Sequence, residues 1–289
     1  MDNTHILPVG GGYKLERLIG RGNFGEVWKA VAPGGFPAAI KIITRPADHQ
    51  DRLREEQALE VIKRLHHHFL IKTQAYWSEE DRLFIVMDLA DGSLRERLKE
   101  AQKAGRPGLP ADELVGYFRE AAEALDYLHE KGILHRDIKP DNILLVEGHV
   151  RLADFGLARL QEKVLASASN SGTPVYMSPE VWRGQVGRHS DQYSLAYTYA
   201  ELRLGRRPFR STDVAGVMND HLHGTPDLGP LPEAEQAVLH RALGKEPEQR
   251  FASCGEWVRE LEKALARDRS RPAGSAARVE AKRPLSSGG

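Results

Sequence analysis

The sequence is short of the residues that cross-link or anchor a chain. Its 289 residues include one cysteine, Cys254, so no intrachain disulfide can form and a reducing compartment is expected. No run approaches the roughly 18 apolar residues that span a bilayer. The first twelve residues also lack the basic and apolar regions of a secretory signal. We therefore expect a cytoplasmic protein with no membrane segment in this chain.

An excess of charge of one sign is also absent. Lys and Arg together number 41, and Asp and Glu together number 41, so no net field draws the protein to nucleic acid. Charged residues make up 28% and hydrophobic residues 40%, which is typical of a soluble globular protein. We therefore expect no nucleic-acid partner, and one large domain or two lobes.

The hydrophobic pattern changes along the chain. Between residues 13 and 87, four short apolar runs separated by turn residues are typical of strands, and residues 50–65 have apolar positions spaced for one helical face. From residue 93 onwards six segments have helical spacing, and Gly132 and Gly205 stand where helix ends are expected. The sequence thus predicts an α+β fold, in which a small antiparallel sheet plus one helix precedes a larger, mainly helical part.

The predicted boundaries follow from these changes of pattern. They give an N-terminal extension at 1–12, a sheet-rich lobe at 13–87, a hinge at 88–92, a helical lobe at 93–267 and a disordered basic tail at 268–289. The tail either touches an acidic partner or is a solvated linker. Two lobes of different class joined by one hinge form a cleft, which is a preferred place for ligands.

A glycine-rich stretch lies early in the sheet-rich lobe. The segment "IGRGNFGEV" carries Gly20, Gly22 and Gly25 in a G-x-G-x-x-G pattern, and a strand pattern continues directly at Val27. A dinucleotide fold would place a helix there, whereas a strand–loop–strand hairpin can lie over phosphates, because glycine lets backbone N–H groups approach oxygens. The alternative is a plain glycine-rich hairpin.

A lysine ends the apolar run of the third predicted strand. Lys41 follows "AAI" and precedes two isoleucines, so its ammonium is expected in a half-buried space that must supply an anion. Nucleotide phosphates are one candidate. A glutamate of the following helix, Glu55, Glu56 or Glu60, is the other. Taken alone, Lys41 is equally well interpreted as an edge lysine.

The segment "LHRDIKPDNILL" sets a strongly polar loop between apolar anchors. Asp137, Lys139 and Asn142 lie within it, and Asp154 follows after a short strand, in "LADFG". Phosphoryl transfer needs this set of groups. One carboxylate accepts the proton of a hydroxyl, a lysine stabilises the transferring phosphoryl group, and carboxylate and amide oxygens suit magnesium. The loop is therefore predicted to be catalytic.

Together these motifs resemble the protein kinase family, in the serine/threonine class and its bacterial form. The resemblance rests on "GRGNFG", "AAIK", "HRDIKPDN", "DFG", "SPE" and "SDQYSLA", in the family's order and spacing. It covers residues 13–265 and implies a bilobal kinase domain at 13–267. The implied activity is transfer of the ATP γ-phosphoryl group to Ser or Thr hydroxyls of proteins, with Mg²⁺ as the metal.

The resemblance also implies a role for each site residue. Lys41 would contact the ATP phosphates and pair with the helix glutamate, for which Glu55 is favoured over Glu56 and Glu60. Asp137 would be the catalytic base and Lys139 would touch the γ-phosphate. The remaining residues divide between metal and nucleotide. The metal ligands would be Asn142 and Asp154, and the nucleotide site would comprise Ile19, Gly20, Gly22, Gly25, Val27, Ala39, Lys41, Met87, Asp88, Ala90 and Leu144.

On the acceptor side, the resemblance implies that "GTPVYMSPE" seats the residue to be phosphorylated. Glu180 would form a buried pair with Arg250, and Asp191 would brace the backbone of the catalytic loop. Arg136 suggests that the serines of segment 154–180 are autophosphorylated, which requires transient self-association; the alternative is that they only make a polar loop. The implied serines are Ser167, Ser169 and Ser171.

Two further functions share these motifs. A pseudokinase scaffold would keep the fold but lose Lys41, Asp137 or Asp154, and all three are present. A small-molecule phosphotransferase would keep the metal ligands but lack the acceptor-seating segment, which is present at residues 172–180. Both features favour the protein kinase.

Overall fold

The N-terminal lobe is built on one antiparallel sheet. The computed structural model describes residues 7–22, 25–44, 57, 59–155 and 174–270. Within these ranges six strands pair in the order β1-β2-β3-β4-β6-β5. Their bounds are β1 Leu7–Pro8, β2 Lys14–Gly22, β3 Gly25–Val31, β4 Pro37–Thr44, β5 Thr73–Glu79 and β6 Arg82–Met87.

Strand β4 shows how the sheet serves two cores. Successive side chains of a strand point to opposite faces. Ala38 and Ile40 pack into a small cluster on the outer face, and Ala39 packs into the main core, which continues into the helical lobe. Lys41 follows two residues after Ala39, so it points to the same inner face. The alternation therefore delivers this lysine to the cleft.

The C-terminal lobe is mainly helical, as predicted. It also contains a small three-stranded sheet in the order β7-β8-β9. The helices are α1 Leu94–Lys103, α2 Ala111–Glu130, α3 Pro179–Trp182, α4 Arg188–Leu204, α5 Val214–His223, α6 Glu233–Ala242 and α7 Cys254–Ser270. The strands are β7 Gly92–Ser93, β8 Ile143–Val146 and β9 His149–Leu152. No helix within the described ranges is long and apolar enough to cross a bilayer.

Local chemistry sets several helix ends. Ser93 caps α1 through a reciprocal capping box with Glu96, which ends the hinge and begins the helical lobe. Gly205 ends α4 with a φ of 71°, a left-handed conformation that glycine adopts readily. Gly132, just after α2, has a φ of 69°. Both glycines are therefore helix stops, as the sequence predicted.

The lobes are also joined behind the hinge. Leu70 forms a parallel bridge with Leu152, the N–H of Ile71 donates to the carbonyl of Leu152, and the N–H of Leu152 donates to the carbonyl of Phe69. These bonds fix the end of β9 against the sheet-rich lobe. Asp154, two residues beyond β9, is thereby held at the boundary between the lobes.

Three features differ from the sequence prediction. Strand β5 was not predicted, because it lies at the sheet edge and its residues are mostly part-buried or exposed. The extension at 1–12 contributes β1, which pairs with β2. Helix α7 continues to Ser270, three residues into the segment predicted to be a disordered tail.

Of the helix predicted at 50–65, residue 57 and residues 59–62 are helical, and residues 50–56 and 58 lie outside the described ranges.

Candidate active site

Lys41 and Asp154 meet in the cleft between the lobes. Lys41 is only 3% exposed, and its Nζ lies 2.6 Å from Oδ1 of Asp154. The two residues are 113 positions apart in sequence and come from different lobes. The buried ammonium thus has an anionic partner, as its apolar surroundings require.

Asp137 is the centre of a second cluster, in the loop between α2 and β8. Its Oδ2 accepts a hydrogen bond from Lys139 Nζ at 2.7 Å and another from Asn142 Nδ2 at 2.8 Å. Asn142 Nδ2 also donates to the Asp137 carbonyl at 2.7 Å. Because the amide nitrogen of Asn142 is turned to Asp137, its amide oxygen is the atom left to serve a cation.

Asp191, on α4, holds the backbone that leads into this loop. It is 2% exposed and accepts the N–H of His135 at 2.9 Å, the N–H of Arg136 at 2.8 Å and a bond from His129 Nε2 at 2.8 Å. Burial works to raise the pKa of Asp191, but the hydrogen bond and charge of His129 outweigh it, so that pKa lies below its ordinary value. The contacts confirm that Asp191 braces the loop.

Two residues of the site have a positive φ, a backbone conformation that residues other than glycine rarely adopt. Arg136 and Asp154 both have φ of 66°. Such residues cost on the order of 1–3 kcal/mol each and persist only when their surroundings determine them. For Arg136 the determining contact is the bond to Asp191. The conformation aims the side chains that follow it, beginning with Asp137.

The predicted adenine pocket is assembled from both lobes. Ala39 pairs with Met87 across β4 and β6, and Val27 pairs with Lys41 across β3 and β4. Ala39 and Met87 belong to the main core, and Val27 and Leu144 pack against it as partly buried side chains. This arrangement brings apolar surface from the sheet and from β8 together beside the hinge.

The rim and the hinge are more polar. Ile19 lies in β2 and is 39% exposed, so it stands at the edge of the predicted pocket. Asp88 donates its N–H to the Lys72 carbonyl, and its carboxylate accepts from Gln74 Nε2 at 2.7 Å. Ala90 lies two residues further on. Their roles in holding adenine remain predictions.

Among the three glycines, Gly25 has a strict structural requirement. Its φ is 122°, and a Cβ built on it would lie 1.9 Å from the carbonyl oxygen of Ile42. Gly20 has no such restriction, since its Cβ would make ordinary contact with Val27 at 3.6 Å. Gly22 pairs with Gly25 at the end of the β2–β3 hairpin, and residues 23 and 24 lie outside the described ranges.

Of the three glutamates predicted as candidates to pair with Lys41, the structure describes Glu60. Glu55 and Glu56 lie outside the described residues, so Glu55 stays a prediction. Glu60 is turned elsewhere, because its carboxylate accepts from Lys63 Nζ at 2.6 Å and from the Tyr76 hydroxyl at 2.9 Å. These contacts disfavour Glu60 as the partner of Lys41. Thr173 of the predicted acceptor segment "GTPVYMSPE" lies outside the described ranges, as do the predicted phosphorylation sites Ser167, Ser169 and Ser171.

The pair predicted to lock the helical lobe is present. The guanidinium of Arg250 grips Glu180 at two points, with NH1 2.9 Å from Oε1 and NH2 2.7 Å from Oε2. Both residues are buried, and Ser190 donates to the same carboxylate. Burial works to raise the pKa of Glu180, but the bonds from Arg250 lower it below its ordinary value. The pair ties α3, which follows the acceptor segment, to the residues before α7.

Sequence reasoning missed a second polar network beside the catalytic loop. It contains Arg95, Asp141, Tyr176 and Glu201, and Arg95 lies 106 positions from Glu201. Arg95 and Glu201 sit in ordinary helix patterns, and only Asp141 and Tyr176 of the four fall inside motifs singled out from the sequence. No local signal predicts that such residues meet.

The sequence matches the protein kinase domain family over residues 13–261. Serine/threonine-protein kinase PknF of Mycobacterium tuberculosis is 32% identical over 276 residues, which cover 86% of this chain and 56% of that protein. PknH of Mycobacterium bovis is 32% identical over 277 residues, which cover 91% of this chain and 46% of that protein. The solved PknI kinase domain of M. tuberculosis matches with a TM-score of 0.71 and 29% identity, covering 90% of this chain and 98% of that one.

The chain belongs to the protein kinase family. Its fold is the protein kinase fold, and the curated relatives PknF and PknH that it resembles are named serine/threonine-protein kinases. This confirms the fold and family that the motifs predicted. The chain spans about half the length of the curated relatives it matches.

Proposed function

We propose that this kinase domain transfers the γ-phosphoryl group of ATP to serine and threonine hydroxyls of proteins, with Asp137 as the base. The observation that carries the proposal is that two polar clusters are linked. Lys41 contacts Asp154, Asp137 is bonded to Lys139 and Asn142, and the N–H of Ala153, next to Asp154, donates to the Asn142 carbonyl at 3.0 Å. The groups that phosphoryl transfer needs are therefore close together at the boundary between the lobes.

The chemistry follows from these positions. An acceptor hydroxyl beside Asp137 forms a new P–O bond, the bond between the γ-phosphorus and ADP breaks, and the hydroxyl proton passes to the Asp137 carboxylate. Lys139, already 2.7 Å from that carboxylate, supplies positive charge next to the transferring group. Lys41 is placed to bind the phosphates that stay on ADP.

The donor set fits a magnesium ion. Asp154 offers carboxylate oxygens and Asn142 its amide oxygen, and both are hard ligands of the kind Mg²⁺ prefers. These two residues would hold the ion, which would supply charge neutralisation for the phosphates. Asn142 directly precedes β8 and Asp154 lies two residues after β9, so the pairing of Ile143 with Leu152 brings the two ligands together.

A transfer assay tests the proposal. Purified chain is incubated with Mg²⁺, γ-labelled ATP and casein, and the label is traced to serine and threonine. Asp137→Asn should lower the rate about a thousandfold, since a positioned base contributes roughly 10²–10⁴. Asp112→Asn, an exposed carboxylate of α2, is the matched control and should keep the wild-type rate.

The outcome also separates the alternatives. A pseudokinase would bind ATP without labelling casein, and a small-molecule phosphotransferase would consume ATP without labelling casein or itself. Either result with wild-type chain contradicts the proposal. Autophosphorylation at Ser167, Ser169 or Ser171, through transient self-association, is part of the proposal and is read from the same gel by mass spectrometry of the kinase band.

A further inference from the structure

The side chain of Arg95 connects its own helix, α1, with three other parts of the helical lobe. The guanidinium of Arg95, in the first turn of α1, donates from NH1 to Glu201 of α4 at 2.9 Å. It donates from NH2 to the Tyr176 hydroxyl at 2.5 Å and from Nε to Asp141 at 3.2 Å. Asp141 belongs to the catalytic loop, and Tyr176 belongs to segment 174–178, which leads into α3. We call these four residues the Arg95 network.

The bonds of the Arg95 network are mutually consistent. The Tyr176 hydroxyl accepts from Arg95 and donates its own proton to Glu201 Oε2 at 2.6 Å. Burial and the charge of Glu201 raise the pKa of Tyr176 above its ordinary value, so the phenol keeps that proton. Glu201 is buried and thus depends on both partners for its charge. The hydrogen bonds among these residues therefore depend on one another, and the loss of one weakens the others.

Tyr176 also fixes the segment at its main chain. Its carbonyl accepts a hydrogen bond from Ser194 Oγ at 2.7 Å, and the carbonyl of Val175 accepts one from His221 at 2.9 Å. Segment 174–178 thus rests on α4 and α5. These bonds hold the segment on the helical lobe, and Arg95 links it to Asp141 of the catalytic loop.

The contact between Arg95 and Asp141 lies close to the proposed catalytic base. Asp141 lies directly before Asn142, and Asn142 donates to the Asp137 carboxylate at 2.8 Å. The family resemblance implies that residues 172–180 seat the acceptor, so an acceptor polypeptide that reaches Asp137 would pass along segment 174–178. The spacing between that segment and the loop therefore decides how well the hydroxyl meets the base.

We infer that Arg95 is a positioning residue that sets segment 174–178 against the catalytic loop and thereby determines affinity for the protein acceptor. The inference rests on the proposed kinase function. Arginine suits this role because its planar fork presents donors in fixed directions to three partners. Lysine carries the same charge on one ammonium group. Arg95→Lys therefore removes the fixed directions of the hydrogen bonds but leaves a positive charge to pair with Glu201.

The test measures acceptor and nucleotide dependence separately. For Arg95→Lys, the KM for casein should rise about tenfold, the size expected for losing a charge-assisted hydrogen bond. The KM for ATP should change less than about twofold, because Lys41 and Asp154 are untouched. Tyr176→Phe removes one partner without altering charge and should raise the casein KM in the same direction.

The control is Arg97→Lys. Arg97 is on the same helix, is similarly exposed and pairs with Glu113 of α2 at 2.7 Å, away from the loop. It should leave both KM values at the wild-type level, and thermal unfolding of all variants shows that they are folded. The double variant Arg95→Lys/Tyr176→Phe should be no worse than the stronger single variant, because both act through one network.

Two outcomes overturn the inference alone. One is an unchanged casein KM in Arg95→Lys while the wild-type chain labels casein. The other is an equal rise in both KM values, which would mean a general loss of structure. If the wild-type chain labels no protein, the proposed function itself fails, and the two failures are thus told apart.

Discussion

The two lobes hold their functional residues by different means. In the helical lobe the catalytic loop and its surroundings are fixed by buried charged side chains, among them Asp191, Glu180 and Arg250, each under 5% exposed. Among the described residues of the sheet-rich lobe, Lys41 is the one buried charged side chain. There the shape comes from strand pairing and from the tight approach of Gly25 to Ile42.

The difference has a physical reason. A catalytic base must be aimed within a fraction of an ångström, and networks of satisfied buried polar groups fix a unique geometry. A nucleotide needs a flat apolar slot and backbone groups, which the sheet supplies with Lys41 as the one buried charged side chain among its described residues. Side-chain substitutions should therefore damage the helical lobe most, and backbone-directed substitutions should damage the sheet-rich lobe most.

The largest effect on stability is expected at the Glu180–Arg250 pair. Arg250→Met leaves the Glu180 carboxylate buried without its main partner and should lower the free energy of unfolding by about 3–5 kcal/mol. Urea denaturation at pH 7.5 measures this loss. Replacing both charges, in Glu180→Leu/Arg250→Met, should recover most of it. A loss below about 1 kcal/mol in the single variant would contradict the role given to buried charge.

A pH effect is expected at His221, between α5 and the acceptor segment. Burial lowers the pKa of His221 to about 4, whereas an unfolded histidine titrates near 6.5. The unfolded chain thus binds an extra proton between these values. The titration of His221 does not lower the free energy of unfolding above about pH 6.5. As the pH falls towards 4, the free energy of unfolding decreases through this residue by about 3 kcal/mol in total.

The measurement compares unfolding free energies at pH 7.5 and pH 5. Wild-type protein should lose about 2 kcal/mol through this one residue, and His221→Gln should lose that much less over the same interval. Other histidines titrate in both proteins and cancel in the comparison. An identical pH dependence in the two proteins would contradict a buried, neutral His221.

The smallest of the three effects separates two glycines of the sheet-rich lobe. Gly25 and Gly35 both have positive φ, but a Cβ on Gly35 meets nothing within 4 Å. Gly35→Ala should therefore cost about 1 kcal/mol from backbone strain alone. Gly25→Ala must also displace Ile42 and should cost about 2 kcal/mol or more. Equal thermal shifts would show that the close approach in the hairpin does not matter.

Much of the fold could be predicted because its signals are local. Short apolar runs separated by turn residues located β2, β3, β4 and β6, and the 3.6-residue period located the long helices. Strand β5 escaped because it is an edge strand with little buried surface. The added turn of α7 escaped because "DRS" has no apolar residue to show its period.

The residues of the site also divide into those with a local sequence signal and those without one. Asp137, Lys139, Asn142 and Asp154 lie in short motifs whose spacing suggests the chemistry, so the sequence alone could name them as candidates. Arg95 could not be found, because its role arises from contacts with residues 46, 81 and 106 positions away. Tertiary contacts of this kind leave no periodic trace in a single sequence.

The most direct test of the central claim is a crystal structure with a non-hydrolysable ATP analogue and Mn²⁺, whose anomalous signal locates the metal. The account predicts Mn²⁺ bound by the Asp154 carboxylate and the Asn142 amide oxygen, with the terminal phosphate facing Asp137. A nucleotide bound outside the cleft, or a metal that touches neither Asp154 nor Asn142, would contradict it.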